Sequence, residues 1–222
     1  YRLYLSIARP DSLFITDLQE KFQTVGIEVK NSNLGQLPET TWFHYPSDYL
    51  GDIVHSLNVR SDNLYAESVL RLLSLSDHEK GSAEKGIDII RKYWQNYEAD
   101  SLELFMYDGS GLARNNKVSA KYLNCVLKET ARDSLIGEYF VQTLPLAGKE
   151  GSVATFMKHG ELPGELRLKS GSMSDVHAYA GYYTTPQNRY AIVVMINNYT
   201  CTRAQLKQKI STLLTQVLSK KE

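Results

Sequence analysis

The sequence predicts an α/β (α+β) fold, an antiparallel sheet flanked by helices, on three observations. Residues 165–173, 176–185 and 189–198 are runs rich in Tyr, Val, Ile and Thr, the composition of half-buried strands. A Ser-Asp turn and Pro186-Gln187-Asn188 divide them, and connections that short make antiparallel neighbours. Stripes of apolar residues at helical spacing lie before the three runs and after them, so helices cover the sheet.

Taken in order, residues 1–8 (YRLYLSIA) alternate apolar with polar and run into Arg9-Pro10, which predicts a strand followed by a helix N-terminus. Leu13, Phe14, Leu18, Phe22 and Val25 then mark one helical face, and Gly26 supplies the stop. Residues 27–30 are a short strand candidate, followed by a polar, turn-rich stretch to Thr41. From Pro46 the pattern is helical through Ile53, Val54 and Leu57, and again, beyond Ser61-Asp62-Asn63, through Leu64, Val69, Leu72 and Leu73. Gly81-Ser82 opens a helix striped by Ile87, Ile90, Tyr93, Trp94 and Tyr97. Residues 108–116 (DGSGLARNN) form a turn-rich loop, 119–130 and 132–140 two more helices, and 144–160 an irregular segment. After the strands, Thr202 caps a last helix with Leu206, Ile210, Leu213 and Val217 on one face and lysines on the other.

Composition excludes several classes of function. The 222 residues carry 25 Lys plus Arg against 25 Asp plus Glu, a net charge of zero with no long single-sign block, which argues against a nucleic-acid partner. No apolar run approaches the roughly 20 residues of a membrane helix, and the first residues lack the layout of a signal peptide. Cys125 and Cys201 are too few for a disulfide framework and form no Cys-x-x-Cys. His44, His55, His78, His159 and His177 show no ligand spacing, so neither a metal nor any other cofactor is expected. No repeat or linker interrupts the chain, and one domain over residues 1–222 is the expectation. The chain does not begin with Met, which leaves open that it was processed or trimmed, or that it is a piece of something longer.

Two short motifs carry chemistry: Ser61-Asp62-Asn63 at a helix junction and Lys169-Ser170-Gly171 on the first long strand. Each has a bland explanation, a helix cap in one case and a lysine guarding a sheet edge in the other. In this order they form two thirds of the active-serine signature of penicillin-recognising enzymes.

With the surrounding blocks, residues 61–73 (SDNLYAESVLRLL), 107–120 (YDGSGLARNNKVSA), 144–152 (LPLAGKEGS) and 166–185 (LRLKSGSMSDVHAYAGYYTT), the chain resembles the class C low-molecular-mass penicillin-binding proteins. These are the D-alanyl-D-alanine carboxypeptidases and endopeptidases of bacterial peptidoglycan. The resemblance implies the serine β-lactamase/penicillin-binding transpeptidase fold, with a five-stranded antiparallel sheet and helices on both faces. It assigns Ser61 the proton relay to the leaving amine and Asn63 the positioning of the substrate peptide bond. Lys169 becomes the cation that serves Ser61 and draws the substrate carboxylate. Ser170, where Thr is commoner, becomes a hydroxyl for that carboxylate, Gly171 a side-chain-free approach, and Ser172 a backbone N–H donor to the oxyanion hole. The strand edge then pairs with an extended peptide. The implied partners are a peptidoglycan stem peptide and β-lactam antibiotics, and the implied location is the periplasm or cell envelope of a bacterium.

The family's nucleophile, a Ser-x-x-Lys upstream of the Ser-x-Asn, has no counterpart here. Ser82-Ala83-Glu84-Lys85 has the spacing but lies downstream of Ser61, where Ser82 reads as a helix N-cap. The chain therefore reads as the C-terminal part of one transpeptidase-like domain, with the nucleophile-bearing N-terminal part and the inserted domains absent. Ala113 also stands where the family usually has serine. The implied activity is that of a serine-type D-Ala-D-Ala carboxypeptidase/endopeptidase that binds penicillin as an acyl-enzyme, and this chain alone is expected to be inactive. Its rivals are a catalytically inactive peptidoglycan-binding homologue and an esterase or β-lactamase of the same superfold.

Overall fold

The computed structural model describes residues 10–29, 46–76, 80–97, 103–158 and 162–219. The chain divides into two compact units, Tyr1–Pro46 and Ser47–Glu222. In the first, helix α1 (Pro10–Thr24) opens on a proline, whose missing N–H costs nothing at a first helical position. It closes at Gly26, which takes φ +77° while Ile27 N donates to Phe22 O at 2.9 Å. Residues 27–29 form no strand, against the sequence expectation for 27–30. Lys30 and the strand expected at 1–8 lie outside the described residues.

In the second unit the element order is α2 (Leu50–Arg60), α3 (Asn63–Leu72), α4 (Ala83–Trp94), β1 (Leu104–Phe105), β2 (Lys117–Val118), α5 (Ala120–Arg132), α6 (Gly137–Thr143), β3 (Glu165–Met173), β4 (Val176–Thr184), β5 (Arg189–Asn197) and α7 (Arg203–Leu218). A 3-10 turn, Gly151–Val153, lies between α6 and β3. Strands β3, β4 and β5 form an antiparallel meander in that order, and β1 pairs with β2 across the DGSG loop. The meander supplies three of the five strands that the resemblance implies, within the described residues.

Register fixes the two faces of the sheet. Met173 pairs with Val176 across a two-residue turn in which Asp175 takes φ +59°, and Thr184 pairs with Arg189 across a loop closed by Thr185 N on Asn188 O. Leu166, Leu168, Tyr179 and Tyr183 therefore share one face and pack on Leu206, Ile210, Leu214 and Leu218 of α7. Tyr182, Ala180, Ala191 and Val193 share the other and pack on Leu127 of α5 and Val141 of α6. Each large side chain buried here contributes about 1.5–3 kcal/mol, which makes the sandwiched sheet the rigid centre of this unit.

Three helical details differ from the sequence reading. The helix expected from Pro46 begins at Leu50, after an extended stretch ending at Tyr49. The helix expected over 132–140 begins at Gly137, because Asp133 leaves α5 in an extended conformation and its carboxylate accepts from Leu135 N and Ile136 N, a turn that delays the next helix. On α7 the buried stripe has strict i+4 spacing, 206, 210, 214 and 218, which leaves Leu213 and Val217 exposed although the sequence pattern assigned them inward. Ser82, by contrast, caps α4 as expected, accepting from Lys85 N at 3.2 Å.

Candidate active site

The junction between α2 and α3 divides the duties of the Ser-Asp-Asn triplet. Helix α2 ends on Ser61, which sits in the left-handed region at φ +55°, ψ +50°. Such a conformation costs a serine on the order of 1 kcal/mol and turns its hydroxyl away from the helix axis. Asp62 is the cap: its carboxylate accepts from Tyr65 N at 3.1 Å and opens α3. With capping assigned to the aspartate, Ser61 and Asn63 on either side of it are left to face a cleft.

That cleft, of about 370 Å³, lies between the α2–α3 junction, the DGSG loop and the second half of β3. It brings together Ser61, Asn63, Lys169, Ser170 and Gly171. Lys169 Nζ donates to Ser61 Oγ at 2.8 Å and to the carbonyl of Ser170 at 2.9 Å. Lys169 alternates onto the sheet face that bears Ala180, where it meets α2. Burial holds the Lys169 ammonium below its ordinary pKa, since the charged form loses hydration there. A lysine so placed donates to a serine hydroxyl and gives up its proton more readily than a surface lysine.

Ser172 is not brought into the cleft. Its hydroxyl meets Nδ1 of the buried His177, 3.2 Å away on the α7 face of the sheet, so only its backbone is available for the role the resemblance assigns. His177 is held below the ordinary histidine pKa by burial and by the nearby cations Lys207 and Arg203. A Cβ added at Gly171 would meet no atom within 4 Å, so the backbone there is open to an approaching chain.

The edge of β3 is half covered. Ala147 N donates to Leu166 O, Leu168 N donates to Pro145 O, and Leu146 bridges Arg167, so residues 145–147 occupy the edge opposite 166–168. From Lys169 onward the structure shows no such pairing among the described residues. Pairing by an added peptide is thereby confined to 169–173, a shorter edge than the sequence suggested.

Other residues shape the cleft without having been singled out in the sequence. Glu67 on α3 accepts from Gly109 N at 3.0 Å and Ser110 N at 2.9 Å, clamping the DGSG loop against the helix. A Cβ on Gly109 would meet Ala66 O at 2.6 Å, so the close approach needs glycine. Asp108 accepts from Gly111 N, Ala113 N and Asn116 Nδ2, and the loop keeps its internal bonds with Ala113 in place. Ser152, on the 3-10 turn, lies 2.7 Å from Ser170 Oγ. The blocks 107–120 and 144–152 hold these residues, but only long-range contacts reveal what they touch. Neither Cys125 nor Cys201 is part of a disulfide, and the described residues include no metal-binding cluster and no helix long and apolar enough to cross a membrane.

The profile of the D-Ala-D-Ala carboxypeptidase 3 (S13) family matches residues 1–220. The D-alanyl-D-alanine carboxypeptidase DacB of Haemophilus influenzae is 25% identical over 223 residues, 96% of this chain and 46% of its own length. The D-alanyl-D-alanine carboxypeptidase of Actinomadura sp. is 25% identical over 82% of this chain and 36% of its own length. Among solved structures, penicillin binding protein 4 (dacB) of H. influenzae superposes with a TM-score of 0.75 at 24% identity, covering 96% of this chain and 50% of that one. A predatory peptidoglycan endopeptidase of Bdellovibrio bacteriovorus gives 0.57 at 19% identity, covering 97% and 57%. The fold is thus the penicillin-binding transpeptidase-like one, and the chain spans about half the length of the curated relative DacB or less of the others.

Proposed function

The chain belongs to the D-Ala-D-Ala carboxypeptidase 3 (S13) family, and from that premise we propose that it is the C-terminal part of a transpeptidase-like domain in a serine-type D-Ala-D-Ala carboxypeptidase/endopeptidase. The observation that carries the reading is the 2.8 Å contact between Lys169 Nζ and Ser61 Oγ at the mouth of an open strand edge. Two groups 108 residues apart in sequence, one ending a helix and one on a sheet, meet where a peptide can add to the strand.

In this reading a serine from the part of the protein outside these 222 residues attacks the carbonyl of the penultimate D-Ala of a stem peptide. The tetrahedral oxyanion is held by backbone N–H groups, Ser172 N among them. As the C–N bond breaks, the leaving D-Ala amine takes the proton of the Ser61 hydroxyl, Lys169 returns one to Ser61, and the proton given up by the attacking serine replaces it on Lys169. Asn63 holds the scissile amide, Ser170 receives the terminal carboxylate, and Gly171 lets the substrate backbone close on β3. Water then cleaves the acyl-ester. A penicillin acylates the same serine, and the protein works in the cell envelope or periplasm.

The test compares the complete protein with the 222-residue chain. The complete protein releases D-Ala from an acyl-D-Ala-D-Ala peptide and gains a penicilloyl adduct by intact mass, while the chain alone gains none. An adduct on Ser82 of the chain alone overturns the assignment of the nucleophile. A complete protein that binds stem peptides without turnover overturns the enzymatic reading in favour of a binding protein.

A further inference from the structure

Ser152 has no part in the reaction just described, yet its surroundings give it one. It is exposed on the 3-10 turn, and its hydroxyl lies 2.7 Å from that of Ser170. The turn is held to both sides of the cleft. Gly151, at φ +52°, sits so close to α2 that an added Cβ would meet Val59 O at 2.2 Å, two residues before Ser61. Upstream, residues 145–147 are laddered onto the edge of β3 at 166–168. The turn and the ladder together fix Ser152 at the point where the covered edge of β3 gives way to the open one.

That position has a chemical consequence. A peptide pairing with the open edge runs alongside 169–173 and cannot continue past Lys169, where residues 145–147 already occupy the strand. A chain end therefore lies at Lys169 and Ser170. A carboxylate there needs donors, and Ser170 has one proton. Without a ligand, that proton is directed at Ser152 Oγ. When a carboxylate arrives, the Ser170 proton turns to it, and Ser170 Oγ keeps lone pairs able to accept from a neighbouring donor. The Ser152 hydroxyl is that donor: it rotates to give its proton to Ser170, fixes the rotamer and strengthens Ser170 as a donor through the chain of two hydrogen bonds.

We infer that Ser152 is a positioning residue for terminal-carboxylate selectivity, acting through Ser170 at the closed end of the β3 edge. The inference rests on the proposed D-Ala-D-Ala peptidase reading and deepens it: the enzyme prefers a leaving residue that ends in a free carboxylate because a hydroxyl pair, not one hydroxyl, receives it.

The experiment measures kcat and KM of the complete protein on an acyl-D-Ala-D-Ala peptide and on its C-terminal carboxamide. Ser152→Ala is expected to lower kcat/KM for the free acid by about five-fold, the scale of one neutral hydrogen bond, chiefly through KM, and to leave the carboxamide unchanged. Ser152→Thr, which keeps the hydroxyl, restores the selectivity. In a Ser170→Ala background, Ser152→Ala has no further effect, because the group it acts through is gone. Equal losses on both substrates, no loss on either, or an undiminished effect in the Ser170→Ala background overturn the inference while the peptidase reading stands. No turnover of either peptide by the unmodified protein overturns both.

Discussion

Glu67 offers the sharpest test of how the cleft is built. Its Oε1 accepts from two backbone amides, Gly109 N at 3.0 Å and Ser110 N at 2.9 Å, and its side chain is 23% exposed. Hydrogen bonds to a charged group contribute about 1.5–3 kcal/mol each. With partial access of water to the vacated amides, Glu67→Ala should cost about 2–3 kcal/mol in total. The ion pair with Arg71 at 3.4 Å adds little, since the Arg71 side chain is 50% exposed. Glu67→Gln keeps an acceptor oxygen and loses only the charge, so it should cost about 1 kcal/mol. Urea unfolding of the complete protein gives the midpoint shift at constant slope. Amide hydrogen exchange at Gly109 and Ser110 gives the local effect, an acceleration of at least about ten-fold in Glu67→Ala, each factor of ten corresponding to about 1.4 kcal/mol. If Glu67→Ala unfolds within about 0.5 kcal/mol of the parent, the level of an unremarkable surface change, and the two amides stay protected, the loop is held by something else.

Gly109→Ala should destabilise by about 1–3 kcal/mol, because the new Cβ would meet backbone, Ala66 O at 2.6 Å and Ala66 C at 3.0 Å, rather than a side chain able to swing aside; an unchanged melting temperature contradicts the close packing of loop and α3. Lys169 should leave a signature in stability against pH. Burial lowers its folded-state pKa below the ordinary 10.5, so below that lowered value the ammonium is desolvated at full cost. Between it and 10.5 the unfolded chain holds a proton that the folded chain has released, and stability rises with pH. Lys169→Met lacks this rise, so the difference between the two denaturation curves should narrow or reverse in the variant's disfavour as pH climbs toward 10.5; parallel curves contradict a buried lysine.

The parts of this molecule that sequence made legible are those written in periodicity. Runs rich in Tyr, Val, Ile and Thr divided by short turns mark the strands, and their register is specified because a slip of one residue would turn Leu166, Leu168, Tyr179 and Tyr183 away from α7. The capping of α4 by Ser82 and of α7 by Thr202 was equally readable, as a hydroxyl before a helical stripe. The pair Ser61 and Lys169 was readable only through motif order and family resemblance, since no local rule brings a helix end to a strand. What escaped is long-range and aperiodic. The ladder of residues 145–147 on β3, the Glu67 clamp and the Ser152–Ser170 contact depend on where loops come to rest. The two-residue strands β1 and β2 are too short to show alternation. On α7, Leu213 competed with Leu214 for the buried stripe, and the i+4 series won because it keeps one continuous line facing β3 and β4.

The central claim, that Lys169 and Ser61 act together in acyl transfer, is tested most directly by the second-order rate at which benzylpenicillin acylates the complete protein. Lys169→Ala removes both the cation and the donor to Ser61, and the rate should fall by at least about two orders of magnitude, the usual scale for a lost acid/base or electrostatic group. Lys169→Arg keeps the charge but not the compact geometry or the ability to give up a proton near neutral pH, and should recover only part of the loss. A near-unchanged rate in Lys169→Ala would mean that the 2.8 Å contact with Ser61 only guards a sheet edge, and the enzymatic reading of this half of the domain would fall with it.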